Sequence, residues 1–356
     1  MTTKLTLSYG QRRLWALDRL EGSSASYNMP LAIRVIGVLD IDALRQALVA
    51  ICSRHEAIRT VMRASESGEP IGYLIDTPST ISILSITDLS EIAQDDPEQC
   101  QRLITAYIHE EAAKPFDLEN DLSLRAGLIA ISPNESILML TMHHQAADGV
   151  SRNIIARELD EAYQAFAKGQ TPSWPELEIQ YSDWAAWQQD NLQEQLAPAV
   201  ERAKVRLANV PELLALPLDH SRDPDRIRRA EEVTLKIAAS TVAALETLAR
   251  HKNTTLYTAL LSVFGATLAK LSRQNAVAIG SPVSGRDDVD TEAMVGFLLN
   301  TVVMPVTVTD TLSASELIAN THLTVQDCLA DQELPFEQLV EHLGVSRSLS
   351  HAPMFQ

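Results

Sequence analysis

Cysteine is scarce in this chain: 356 residues carry only Cys52, Cys100 and Cys328. They are far apart, odd in number and form no CxxC pair, so the expectation is buried free thiols in a reducing, cytoplasmic compartment rather than a disulfide framework. Positive charge is also in short supply. Lys and Arg total 29 against 47 Asp and Glu, a formal charge of -18, which would repel a phosphate backbone over most of the surface and argues against nucleic acid as a partner. Nowhere does an uninterrupted apolar run reach the length of a bilayer span, and the opening MTTKLTLSYGQRRLW lacks the apolar core of a signal peptide, so no membrane segment is expected. HExxH is absent, adjacent histidines rarely chelate one ion, and no metal site is expected. The loop GSPVSGR at residues 280–286 has neither GxGxxG spacing nor a GK[ST] ending, so it does not read as a phosphate loop.

What is present is enough apolar residue, 46% of the chain, for two domains of roughly 150 to 200 residues. Helical spacing predicts helices near residues 9–20, over 41–54 with Leu44, Leu48 and Ile51 on one face, and after residue 150, where Val150, Ile154, Ile155, Leu159, Tyr163 and Phe166 share a stripe. Extended patterns cover 29–38, 122–131 and 136–142, the last two separated by the turn signal Pro133-Asn134. KGQTPSWP at 168–175, broken by glycine and two prolines, predicts a boundary near residue 175. Beyond it come helices at 240–250 and 256–271, strands at 276–279 and 301–308, a helix at 313–330, and another that Pro335 is placed to start.

The residues with chemistry in them sit at the turns. MHHQAADGVS (142–151) puts His143 and His144 at the end of a strand and Asp148-Gly149 at the start of a helix. An imidazole with an ordinary pKa near 6.5 can take a proton and return it. The same residues are also what a helix N-cap and two hydrogen-bonded loop histidines would look like. RHEAIRT (54–60) is either a solvated helix end or something more specific. Tyr181, Asp183, Trp184 and Trp187 fit an aromatic lid or ordinary packing.

Order and spacing favour one reading. LSYGQRRLWALDRL followed by SYNMP, then RHEAIRT, MHHQAADGVS, YSDWAAW, IGSPVSGR with VGFLLNT, QELPFEQLVEHL and SHAPMFQ resemble, in sequence and from end to end, the motif series of nonribosomal peptide synthetase condensation domains of the HHxxxDG acyltransferase superfamily. The resemblance implies an α/β (α+β) fold: two chloramphenicol-acetyltransferase-like lobes in a V-shaped pseudodimer, residues 1–175 carrying HHxxxDG and 176–356 forming the second lobe, which stops short of the family's usual C-terminus. It implies an acyltransferase that joins a donor acyl or peptidyl thioester to the amine of an acceptor aminoacyl thioester. Both would arrive on phosphopantetheine arms of peptidyl carrier proteins, beside an adenylation domain in a larger synthetase, with no cofactor bound by the domain itself.

By the same resemblance His144 acts as base or positioner, His143 supports it, Gly149 helps stabilise the oxyanion, and Asp148 forms a structural ion pair with Arg59. Asn300, Tyr181, Trp184, Ser284 and Arg286 are implied as cleft or substrate-binding residues. Two departures open alternatives. DGVS stands where many condensation domains have DGWS, as in the related epimerization domains, and the short second lobe leaves room for a docking platform without catalysis.

Overall fold

The protein is described by a computed structural model covering residues 4–220, 222, 233–345 and 351–356. The chain divides into two compact units, Met1–Asn191 with Arg286–Leu299, and Leu192–Gly285 with Asn300–Gln356. The boundary expected near residue 175 therefore moves. The proline-broken stretch only leads into a helix whose first turns belong to the first unit, and residues 286–299 also belong there although they lie far along the sequence.

In the first unit the chain runs β1 (Lys4–Leu5), α1 (Tyr9–Glu21), β2 (Asn28–Ile36), α2 (Ile41–Arg54), a short 3-10 turn (Glu56–Arg59), β3 (Thr60–Ala64), β4 (Pro70–Leu74), β5 (Leu84–Asp88), α3 (Ser90–Asp95), α4 (Pro97–Ala113), β6 (Leu124–Ser132), β7 (Glu135–His143) and α5 (Gly149–Phe166). The main sheet has the order β2-β7-β6-β5, antiparallel except for β5 against β6. The β6–β7 hairpin turns at Pro133-Asn134, as expected from the proline and asparagine there. Both sheet faces are covered, which explains why β6 and β7 are almost continuously apolar. Leu128, Leu138, Leu140 and Met142 pack with Leu48 and Ile51 of α2 and Ile155 and Leu159 of α5. On the opposite face Ile129 packs with Cys100 and Ile104 of α4. A smaller sheet, β1-β4-β3, lies beside a cluster of Leu7, Met62, Phe116 and Leu118.

The helix starts follow the capping chemistry. Ser8 and Gln11 form a reciprocal capping box on α1, and Asp40 caps α2 through the amides of Asp42 and Ala43. α6 (Tyr181–Leu207) begins in the first unit and ends in the second.

In the second unit follow α7 (Ala239–His251), α8 (Leu256–Ser272), β8 (Ala276–Val283), β9 (Asn300–Thr307), α9 (Ala314–Leu329) and α10 (Phe336–Leu343). β8 and β9 pair antiparallel, and alternation along β9 sends its side chains to two clusters. Val302, Met304 and Val306 meet Leu261 of α8 and Leu317 and Val325 of α9. Val303 meets Val200 and Ala203 of α6 and Phe336 and Leu339 of α10. Of the C-terminal SHAPMFQ, Ser350 lies outside the described residues, while Met354 is buried in that second cluster and Phe355 packs on Phe336 at 5.4 Å between ring centroids. Among the described residues no single helix is long and apolar enough to cross a membrane.

Candidate active site

Strand β7 ends at His143, and α5 starts six residues later with Asp148 as its N-cap. Register fixes the histidines. His143 stands opposite Asn28 on β2, its amide donates to the Ser123 carbonyl, and the His144 amide donates to the Tyr27 carbonyl. Because successive side chains of an extended chain point to opposite sides, the two imidazoles have different surroundings.

His143 is buried. Its Nδ1 accepts from the Gln145 amide at 3.1 Å, and its ring meets Phe116 and Tyr27 edge-on. The Arg125 guanidinium lies 3.8 Å from the centre of the Phe116 ring. Burial, then the neighbouring His144, then Arg125 push the His143 pKa down to about 4. His143 is therefore a neutral ring at ordinary pH, carrying its proton on Nε2.

His144 is half-buried and packs against Phe297, with ring centroids 5.2 Å apart. Burial lowers its pKa, against the smaller opposing effects of the Ala147 carbonyl and the Asp148 carboxylate. Nδ1 is buried without a hydrogen bond of ordinary geometry, and the Ala147 carbonyl lies near enough to the ring to favour its protonated form. Among the described residues no group hydrogen-bonds Nε2. The result is a neutral imidazole with one nitrogen free to take a proton.

The loop is held from behind. Asp148 Oδ1 accepts from the Ser151 amide and hydroxyl, both at 2.8 Å. Arg286 Nη2 lies 3.1 and 3.2 Å from the two Asp148 oxygens, and the Leu298 amide donates to Oδ2 at 3.3 Å. The Asp148–Arg59 ion pair expected from the sequence does not form. Arg59 closes the 3-10 turn after α2, and its guanidinium donates to the carbonyls of Cys52 and Ile75 at 2.8 Å each. Arg286, expected in the cleft, takes the place beside Asp148, with its side chain 5% exposed. Its Nη1 also donates to the carbonyls of Thr291 and Met294, which ties residues 286–299 into one turn.

Three other expected cleft residues are committed to structure. The Tyr181 hydroxyl donates to the Phe297 carbonyl at 2.8 Å and is hydrogen-bonded to Ser8, while its ring stacks on Trp184 at 5.4 Å; both residues are buried. Asn300, in the second unit, spends its amide on the carbonyls of Gln332 and Leu334 and on the amides of Thr301 and Phe336. These bonds hold the turn before α10 and leave the side chain nothing for a substrate. Ser284 is exposed just after β8, in the second unit. Gly149 is exposed as the first residue of α5, where amides lack helical partners, and a Cβ there would meet no atom within 4 Å.

Ser151, Glu158 and Gln145 were not singled out in the sequence. Ser151 Oγ meets Asp148, accepts from the Gly296 amide and Arg286, and lies 2.9 Å from the Gly296 carbonyl. Glu158 sits on the apolar stripe of α5 and accepts from Arg54 at 3.2 Å, with His55 Nε2 2.7 Å from its other oxygen. An acid on an otherwise apolar helix face was the available signal, because a carboxylate there demands a partner. The head of RHEAIRT is accordingly a buried clamp rather than a solvated helix end. Gln145 donates to Ser123 at 2.6 Å, and its carbonyl accepts from Gln11. Among the described residues no group of three or more His, Cys, Asp or Glu is arranged to hold a metal.

Residues 1–356 match the family model of the condensation domain. The chain belongs to the condensation-domain family. It is 34% identical over 359 residues to a dimodular nonribosomal peptide synthase of Bacillus subtilis, a match covering 99% of this chain and 15% of that protein. The chain thus spans a small fraction of the length of that relative. Among solved structures it resembles the X-domain from teicoplanin biosynthesis in complex with OxyB, at 25% identity and a TM-score of 0.89 over 99% of this chain and 76% of that one. The first condensation domain of the calcium-dependent antibiotic synthetase has the same fold, at 18% identity and a TM-score of 0.77 over 97% and 79% of the two chains.

Proposed function

We propose that this condensation domain joins a donor acyl or peptidyl thioester to the amine of an acceptor aminoacyl thioester, each carried on the phosphopantetheine arm of a carrier protein within a larger synthetase. The observation that carries this reading is His144: a ring kept neutral by burial, with Nε2 unpartnered, on a loop pinned by the Asp148–Arg286 pair. A neutral imidazole can accept the proton that the amine loses as its nitrogen bonds to the thioester carbonyl carbon. The carbon–sulfur bond then breaks, and the pantetheine thiolate leaves and is protonated to the thiol. Gly149 supports the same step: it is the exposed first residue of α5, where the amides lack helical partners and a developing oxyanion would gain from the helix N-terminus. Tethering both substrates converts a bimolecular aminolysis into a local one.

The test is mass spectrometry of loaded carrier proteins incubated with the chain. A new peptidyl-carrier species is expected, and His144→Ala should lower its rate by about 10²-fold or more at an unchanged melting temperature. Normal product from folded His144→Ala would sink the catalytic role. A changed stereocentre without a new amide would support epimerization instead. One observation favours a second reading, docking: the X-domain it resembles was solved with OxyB bound. Stable binding of a partner protein with no change in any loaded carrier would support that reading.

A further inference from the structure

An imidazole that moves a proton is ordinarily aimed by a hydrogen bond at its other nitrogen. In His144 that device is weak, because Nδ1 makes no hydrogen bond of ordinary geometry and the Ala147 carbonyl only approaches the ring. The histidine χ2 torsion is broad, so the ring plane has to be fixed by packing. Phe297 supplies it, 5.2 Å away and tilted by 59°, within the range of favourable aromatic pairs.

Phe297 is itself fixed from several sides. Its carbonyl accepts from Tyr181, the preceding Gly296 amide donates to Ser151, and the following Leu298 amide donates to Asp148. Its ring lies over Gly10 on α1, where a Cβ would fall 2.8 Å from Cε1 and 2.9 Å from Cδ1. Any larger residue at position 10 would push the ring aside. The loop that carries Phe297 is therefore anchored to the same Asp148 that caps α5, so the aromatic face and the histidine are located by one network.

We propose that Phe297 is the positioning residue of His144, holding the plane of the imidazole and keeping water from it, with Gly10 as its seat. This rests on the proton-handling reading of His144 given above. The ionisable groups on its sides are few. Asp148, at the start of α5 and paired with Arg286, is the carboxylate that acts on the ring, His143 of β7 is uncharged at neutral pH, and α1 carries Arg12 and Arg13 next to the neutral Gln11.

The experiment follows the histidine rather than the product. The full chain is labelled with carbon-13 at histidine Cε1, and the His144 signal, one of nine, is assigned with His144→Ala. In Phe297→Ala water reaches the ring, so the titration midpoint of His144 should rise toward the ordinary value, and condensation should slow by about 10-fold as the base loses its aim. Phe297→Leu keeps an apolar cover without a flat face, so the midpoint should stay low while the rate still falls. Gly10→Ala displaces the phenyl ring without deleting it and puts a better helix former into α1, so it should shift the His144 signal in a chain that remains folded. An unchanged His144 midpoint and chemical shift in both Phe297→Ala and Gly10→Ala would overturn the proposal. Should the wild type make no amide while these variants still move the His144 titration, the catalytic reading fails and the positioning of the ring stands.

Discussion

At the scale of single residues, the two histidines differ because one is sealed and the other is not. His143 has a folded pKa near 4, below its unfolded value of about 6.5, so it is neutral when folded. The unfolded chain binds the extra proton first. Stability is therefore complete above about pH 6.5 and is lost as pH falls toward 4, by about 3 kcal/mol across that window. His143→Asn keeps an acceptor for the Gln145 amide but cannot titrate, so urea midpoints of this variant should fall less between pH 6.5 and 4 than those of the wild type. Equal slopes would place the acid sensitivity elsewhere. The Asp148 partner is testable in the same way. Arg286→Gln leaves a buried carboxylate without its cation and should cost about 3 to 5 kcal/mol, together with activity. Arg59→Gln, which removes donors only from two carbonyls, should cost about 1 to 3 kcal/mol. A larger loss at Arg59 would restore the pairing expected from the motif order.

At the scale of elements, the candidate site depends on how α1, α5, α6 and residues 286–299 meet. Tyr181, at the start of α6, is the tie, since its hydroxyl reaches both the Phe297 carbonyl and Ser8, the cap of α1. Tyr181→Phe retains the ring stacked on Trp184 and deletes only the hydroxyl, leaving a buried carbonyl short of its donor. The expected cost is about 1 to 3 kcal/mol, read as a lower melting temperature with little change in secondary structure. The clamp of Arg54 and His55 on Glu158 similarly fastens the end of α2 to α5. Its residues lie next to the 168–180 connection, where Arg54 also donates to the Pro175 carbonyl at 2.7 Å.

At the scale of the molecule, the two units carry different acid sensitivities. In the second unit burial raises the pKa of Asp331, but hydrogen bonds from Arg202 and Arg206 outweigh it and leave the carboxyl below its ordinary value. Its contribution is present above the unfolded value of about 3.9 and is lost as pH falls through the lower folded value. All four tryptophans, Trp15, Trp174, Trp184 and Trp187, lie in the first unit. Tryptophan fluorescence should therefore report weakening against urea already between pH 6.5 and 4. Circular dichroism, to which helices of both units contribute, should show a second loss of stability below about pH 4. Asp331→Asn should flatten that second limb and leave the fluorescence unchanged; a coincident shift of both probes would mean that Asp331 does not act locally.

The order of residues along the chain specifies the local elements and their ends. Ser8, Asp40, Asp148 and Ser313 each cap a helix because a side-chain oxygen reaches amides two or three residues on, and Pro133-Asn134 turns a hairpin for equally local reasons. It also determined the family, because the order of motifs along a chain survives without coordinates. Partners across the chain were decided only by tertiary structure. Asp148 chose Arg286, 138 residues away, over Arg59, and Tyr181 and Asn300 were drawn into hydrogen bonding with backbone rather than left facing a cleft. Neither choice is written in residue type or spacing. A buried carboxylate requires some cation and a buried hydroxyl some acceptor, but which one lies within reach is settled by the packing of elements that are distant in sequence.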